Sequence, residues 1–254
     1  MPEPDLALLV KAARLAGDIA LGHWRRNPRA WEKPDGTGPV TEADLAVNAM
    51  LADILRAARP DYGWLSEETP DTADRLSQPH TFILDPIDGT RAFMAGEEHF
   101  AHSFAIADQG RITHAVVFLP AINRLYSASI TQPALCNGIP IHAAPPTASA
   151  TILCARPVLA PEHWRTPPPV TRHFRASLAY RMCLVAEGSF DAMLTLRPTW
   201  EWDIAAGTLI ASRAGAVVTD RSGTAPVFNQ PTPQTNGLLT ASPALHQTLH
   251  AALA

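Results

Sequence analysis

Acidic side chains recur where this chain of 254 residues otherwise reads as buried. Asp85 and Asp88 lie in "DPIDGT", directly after the apolar run Thr81-Phe82-Ile83-Leu84. Glu67 and Glu68 close a second apolar run, "YGWLSEE", while Asp44 and Asp203 stand near the starts of helical patterns. Taking a carboxylate out of water costs several kcal/mol unless it is paired or ligates a metal. Acids at the ends of several elements therefore call for a cation among them. An all-oxygen donor set suits Mg2+, which takes octahedral geometry at about 2.0–2.1 Å and keeps several waters.

Other metals fit less well. Zinc wants His or Cys, and the ten histidines contain no HExxH pattern. His99 and His102, in "EEHFAH", read as surface residues of a loop. An EF-hand over "DPIDGTRAFMAGEE" fails because Ile87 takes the third loop position and Asp88 the fourth. Any one of the acids, taken singly, is also explained as a cap or a solvated turn residue. Several of them at strand and helix ends argue for a shared site. Gly89-Thr90, after Asp88, predict a helix start whose free N–H groups would hold an anion beside the metal. Metal and anion site together point to phosphate.

The rest of the composition narrows the partners. A 46% hydrophobic, 17% charged chain can bury a full core, as one large domain or two joined lobes. The net charge of −4 and the absence of a basic run argue against a nucleic-acid polymer as partner. Cys136, Cys154 and Cys183 form no CxxC pair, so reduced cytosolic thiols are expected rather than a disulfide framework or a zinc site. Lys11, Arg14 and Asp18 interrupt the N-terminal apolar residues, unlike a signal peptide or a membrane span, and the expected location is cytoplasmic.

The elements that must position the acids can be read from periodicity. Leu6, Leu8, Leu9, Ala12, Ala13, Ala16, Ile19 and Ala20 recur at helical spacing. "WEKPDGTGPVTEAD" reads as a loop punctuated by Pro34, Asp35, Gly36, Gly38 and Pro39. A second helix follows, with Thr41 as N-cap and Asp44 completing an Asp variant of the capping box, and it ends before Pro60. "YGWLSEE" and "TFILD" predict strands that end in carboxylates. "AHSFAIADQGRITHAVVFLP" and "NRLYSASI" predict antiparallel strands, with Asp108-Gln109-Gly110 as a hairpin turn. Thr131 to Pro169, rich in Pro and Ala, reads as a crossover with short strands such as "ATILCA". Beyond it come a helix closed by Gly188, the strand "DAMLTL", a helix closed by Gly215 and the strand "AVVTD". The expected division is an N-terminal α+β lobe over 1–130 and a C-terminal α/β lobe over 131–254, joined as one structural unit. Trp200 and Trp202 are expected to pack at the lobe junction.

"LSEE" at 65–68, "DPIDGTRAF" at 85–93 and "WDIAAGTLIASRAG" at 202–215 resemble, in order, three signatures of the inositol monophosphatase superfamily. "PVTEAD" at 39–44 and "FAIADQGRITHAVVFLPAINRLYSA" at 104–128 extend the resemblance over nearly the whole chain. The resemblance implies an alternating α-β-α-β-α sandwich and a Mg2+-dependent, lithium-sensitive phosphomonoesterase holding two or three ions. It implies metal ligands at Glu67, Asp85, Asp88 and Asp203 and the carbonyl of Ile87. It further implies water activation by Thr90 with Asp44, an acid behind the ligands at Glu68, phosphate contacts from the Gly89 and Thr90 amides, and a substrate contact from Asp203. A small phosphate ester is the implied partner, without a membrane, and a homodimer the implied assembly.

The substrate stays open between branches. Leu196 stands where inositol-specific members resemble one another in carrying a hydroxyl-gripping Glu, seven residues before the late metal Asp. "SLAYRMCLVAEG" with "RPTWEWDIAAG" looks like the bacterial 3′(2′),5′-bisphosphate nucleotidases, which implies adenosine 3′,5′-bisphosphate as substrate. Arg91-Ala92 and Ala155-Arg156 depart from that branch. In this reading Arg156 holds the second phosphate and Ser177 a ribose or base group. The alternatives are inositol 1-phosphate or another sugar or polyol phosphate, histidinol phosphate, and a catalytically silent scaffold, against which the intact acids argue.

Overall fold

A computed structural model describes residues 4–34, 36, 38–145 and 149–254. In chain order the elements are α1 (Asp5–His23), β1 (Ala30–Glu32), β2 (Pro39–Thr41), α2 (Glu42–Ala58), β3 (Gly63–Ser66), β4 (His80–Asp88), α3 (Thr90–Met94), β5 (Ala101–Asp108), β6 (Arg111–Leu119) and β7 (Arg124–Ser129). They continue with β8 (Gln132–Cys136), β9 (Ile139–Pro140), β10 (Ala150–Leu153), β11 (Val170–His173), α4 (Leu178–Ala186), β12 (Ala192–Trp200), α5 (Glu201–Arg213), β13 (Val217–Thr219), β14 (Gln234–Ala241) and α6 (Pro243–Ala252).

Seven strands form one sheet in the order β3-β4-β5-β6-β7-β8-β9, and five form another in the order β11-β10-β12-β14-β13. Successive side chains of a strand point to opposite faces, and both sheets use this to bury two faces at once. Phe82, Leu84, Phe104, Ile106, Val116 and Phe118 pack on α1 and α2. Their neighbours Ile83, Ala105, Ala115 and Val117 pack on the other face, together with α4, α5 and residues Leu153, Met193 and Leu238 of the second sheet. Ile152, Leu194 and Leu239 turn the opposite way, onto Leu245 and Leu249 of α6. The layers are therefore α-β-α-β-α, as expected. Small residues allow the middle layer to sit close: an added Cβ on Gly207 of α5 would lie 2.6 Å from Met182 Sδ of α4.

The local predictions recur as elements. Thr41 accepts from the amides of Ala43 and Asp44 while its own N–H donates to the Asp44 carboxylate, completing the capping box. Gln109 and Gly110 take positive φ at the β5–β6 turn, and Gly188 and Gly215 follow α4 and α5 with positive φ.

Four readings are corrected or extended. The stretch read as a loop before α2 contains a small antiparallel ladder, with Trp31 opposite Val40, while Asp35 lies outside the described residues. His102 is no surface residue: it is fully buried in β5. The boundary expected after residue 130 falls in the β7–β8 hairpin, and the first sheet continues to Pro140. β14 and α6, which lie beyond the last expected strand, complete the second sheet and its outer layer.

Candidate functional site

Register brings the acids together. β3 and β4 run parallel with Ser66 opposite Leu84, so Glu67, one residue on, emerges beside Asp85. The Glu67 amide donates to the Leu84 carbonyl at 3.1 Å and continues the ladder to that point. Asp85 and Asp88 are three apart and would face opposite sides of a regular strand. Against β5, however, Asp85 pairs with Ser103 and Asp88 with Ala101, so β4 carries one extra residue there. This bulge turns Asp88 to the side of Asp85. Pro86, which has no N–H for the ladder, sits within it. Beneath, His102 Nδ1 donates to the Pro86 carbonyl at 2.5 Å, and burial lowers the imidazole pKa to about 4, so the ring is neutral.

Asp203 arrives from the first turn of α5, which is docked on β5 by Ser103 Oγ donating to the Trp202 carbonyl at 3.0 Å. One ligand atom from each of Asp85, Asp88 and Asp203 lies within 4.8 Å of the others. Asp85 Oδ1 is buried with no hydrogen-bond partner. Burial raises the Asp85 and Asp203 carboxyls well above their ordinary range, and the surrounding carboxylates add to it. Asp88 is raised less, to about 6, because Ser177 and backbone amides hydrogen-bond it against the effect of burial. An orphaned carboxylate oxygen in an all-oxygen cluster fits a hard divalent cation.

Asp44 divides its carboxylate between two tasks. Oδ2 accepts from the Thr41 amide at 2.9 Å, and Oδ1 lies 3.3 Å from Thr90 Oγ1. The Ile87 carbonyl, 3.2 Å away, is the other acceptor within reach of that hydroxyl. Burial raises Asp44 to about 6. Gly89 precedes α3 with φ of 98°, a conformation that L side chains rarely adopt, and this lets the chain turn directly from the bulge into Thr90. The helix is short, so its anion-binding capacity lies in individual N–H groups rather than in a summed dipole.

Residues the sequence reading passed over complete the site. Lys33 Nζ lies 2.8 Å from Glu67 Oε1 and 2.8 Å from Glu68 Oε1. Its burial works to lower its pKa, but Glu67 and Glu68 outweigh it and hold the ammonium above its ordinary range. Glu68 is pushed up to about 7 by burial and by Glu67. Glu201, wholly buried, accepts from the amides of Asn229 and Gln230 at 2.6 and 3.0 Å. It thereby anchors the segment leading to Pro231 and Pro233, which line the site. Neither carries a signal in the sequence: Lys33 stands 34 positions before Glu67, and Glu201 lies beside the motif with no pattern to mark it.

The acids open into a cleft of about 1480 Å³, lined also by Arg91, Arg181, Arg197, Phe174, Leu196, Trp200 and Trp202. Trp200 and Trp202 stack at 4.6 Å, and Trp202 also packs on the central core, as expected for the junction. Two expected substrate residues are placed elsewhere. Arg156 is exposed and lines a neighbouring hollow with Arg172 instead of the cleft. Ser177 is buried as the N-cap of α4, where its hydroxyl accepts from the Tyr180 amide at 2.9 Å and donates to Asp88 Oδ2 at 2.6 Å.

The chain resembles known proteins over most of its length. Residues 1–254 match the model of the inositol monophosphatase family. The Nus factor SuhB of Escherichia coli (strain K12) is 31% identical over 236 residues, 87% of this chain and 86% of that protein. The inositol-1-monophosphatase of Rhizobium meliloti (strain 1021) is 33% identical over 195 residues, 72% and 73% of the two chains. The 3′(2′),5′-bisphosphate nucleotidase CysQ of Salmonella typhimurium (strain LT2) is 29% identical over 227 residues, 86% and 91%. Among solved structures, the IMPase of Thermotoga maritima superposes with a TM-score of 0.83 at 26% identity, covering 96% of this chain and 94% of that one. With its three signature segments converging on one acidic cleft, the chain belongs to the inositol monophosphatase family of phosphatases.

Proposed function

We propose that the protein is a Mg2+-dependent phosphomonoesterase in which water attacks the phosphorus directly, with adenosine 3′,5′-bisphosphate as its preferred substrate. The observation that carries the reading is the Asp85, Asp88 and Asp203 cluster with its unpartnered Asp85 oxygen, beside the Gly89–Thr90 turn. Asp85, Asp88, Asp203 and Glu67, with the Ile87 carbonyl, would hold two or three ions. When bound, Mg2+ supplies Lewis acidity, lowering the pKa of the attacking water and neutralising charge on the phosphoryl oxygens.

The chain's own groups do the rest. With its proton directed to Asp44 Oδ1, Thr90 Oγ1 keeps lone pairs for a water proton and so aims the water at phosphorus. The Gly89 and Thr90 amides receive equatorial oxygens as charge spreads over them. Glu68, behind Glu67 and paired with Lys33, holds the ammonium against the ligand side.

Leu196 supports the nucleotide within this reading, since an apolar side chain lining the cleft offers no acceptor to a ring hydroxyl. Arg197 and Arg181 supply positive charge there in place of Arg156, and Arg197 pulls against the raised pKa of Asp203. Inositol 1-phosphate is the second reading, favoured by the 33% identity to the Rhizobium enzyme. A panel of adenosine 3′,5′-bisphosphate, inositol 1-phosphate, fructose 1,6-bisphosphate and histidinol phosphate, compared by kcat/KM in Mg2+ and in chelator, tests both levels. The nucleotide leads if the reading holds; a tenfold preference for inositol 1-phosphate, about 1.4 kcal/mol in transition-state binding, replaces it. No turnover on any ester removes the phosphatase reading itself.

A cytoplasmic homodimer belongs to the same proposal. It is supported by the free thiols of Cys136, Cys154 and Cys183 and by the family likeness, and light scattering of the purified protein tests the assembly. Among the described residues no helix is long and apolar enough to cross a membrane.

A further inference from the structure

Phe174, immediately after β11, lines the cleft with 49% of its surface exposed. Burying a large apolar side chain is favourable, so an exposed ring that lines a site asks for a purpose beyond folding. The ring is also held in place. The guanidinium carbon of Arg181 lies 4.5 Å from its centroid. Arg181 is itself only 6% exposed, and its Nε donates to the Arg175 carbonyl at 2.6 Å and its Nη2 to the Ala176 carbonyl at 3.4 Å. A cation anchored to the same segment thus orders the ring, so a ligand stacking on it meets a surface already fixed.

The backbone that carries the ring is tethered close to one of the acids. Ser177, three residues along, bonds Asp88 directly, and three residues of extended chain span at most about 11 Å. A sugar carries a base away from its phosphate over a comparable distance. Leu196, on the same cleft, adds an apolar wall.

We propose that Phe174, backed by Arg181, is the platform on which a planar heteroaromatic ring in the leaving alcohol stacks, which makes nucleoside phosphates the substrate class. The inference rests on the phosphatase reading above and assigns the choice of leaving group to one side chain. Every nucleobase has a π-face to stack, whereas an inositol or an open sugar has none.

The test uses two ligands that differ only in the base, the phosphonate analogues of adenosine 5′-monophosphate and ribose 5-phosphate, whose C–P bond resists hydrolysis, titrated calorimetrically into the protein with Mg2+. The wild type binds the nucleotide more tightly, and the ratio of the two affinities falls about tenfold in Phe174→Ala and returns in Phe174→Trp. Thermal melting of each variant checks the fold, and Phe174→Trp against the wild type keeps the comparison should the Ala variant be unstable. Equal affinities in the wild type, or an unchanged ratio in Phe174→Ala, overturn the platform. A wild type that hydrolyses no ester removes the phosphatase reading instead, and the binding ratio still decides the role of Phe174.

Discussion

The Ser177 hydroxyl donates to Asp88 Oδ2 at 2.6 Å across 89 positions of the chain. The Ala179 amide donates to the same oxygen at 2.7 Å. The first turn of α4 therefore grips an acid of the first sheet, and the site is complete only when the two halves are docked. Ser177→Ala removes this bond and the cap on the Tyr180 amide, so unfolding free energy should fall by about 1–2 kcal/mol. Calorimetry should show Mg2+ affinity weakened about tenfold, the usual cost of losing a partner behind a ligand. A raised KM with unaltered Mg2+ affinity would instead return Ser177 to the substrate.

Asp88→Asn keeps the shape of the side chain and removes its charge. Turnover should fall by at least about two orders of magnitude with the melting temperature little changed. Unchanged turnover in the purified variant would sink the assignment. Wild type treated with chelator should be silent until Mg2+ is restored.

Thr90→Ala removes the hydroxyl that lies 3.3 Å from Asp44 and leaves the acid cluster in place. Mg2+ binding by calorimetry should persist while phosphate release slows by about two orders of magnitude, within the range for a lost general-base or orienting group. Lost Mg2+ binding would make Thr90 structural, and a trapped phosphorylated protein would rule out direct attack by water.

Burial raises Asp44 and Asp88 to about 6 and Glu68 and Glu201 to about 7. Unfolded carboxyls titrate near 4, so between about pH 4 and 7 the metal-free folded protein binds more protons than the unfolded chain. The stability from these groups is full below about pH 4 and is lost as pH rises through 6 to 7. His102, lowered to about 4, works the other way: its contribution is full above the unfolded histidine value and is lost as pH falls. The difference between melting curves with Mg2+ and with chelator cancels groups remote from the ion and leaves its competition with protons. That difference should widen from pH 5.5 to 7.5, measured by scanning fluorimetry. Narrowing over the same range would contradict an acid-ligated ion.

Arg156→Ala tests the placement of that residue outside the cleft. The variant should change kcat/KM by less than about twofold for bisphosphate and monophosphate substrates alike, as for a surface change. A selective loss on the bisphosphate would return the second phosphate to Arg156.

Features that depend on residues a few positions apart were legible in the sequence. The Thr41–Asp44 capping box, the β5–β6 turn and the glycines closing α4 and α5 are such features, and all recur. β1 and β2 were read as loop because three-residue strands carry too little period to register. His102 was misread because the acids of "EEHFAH" suggested an exposed loop, whereas its burial follows from rings it meets through the sheet, such as Phe118.

Residue types and short-range pattern set the chemistry on offer: carboxylates at 44, 67, 68, 85, 88 and 203, a hydroxyl at Thr90, and strands and helices whose ends carry them. Which groups share one volume, and which way they face, follows from long-range packing. The bulge turns Asp88 toward Asp85, parallel register sets Glu67 beside them, and packing of α4 commits Ser177 to an acid rather than to the cleft. Lys33 reaches paired glutamates, while Arg156 stays outside and Arg181 and Arg197 line the cleft. The physical reason is that strand register and docking of distant segments set these orientations. Local propensity acts over a few residues, whereas burial and charge act between whichever groups the fold brings together.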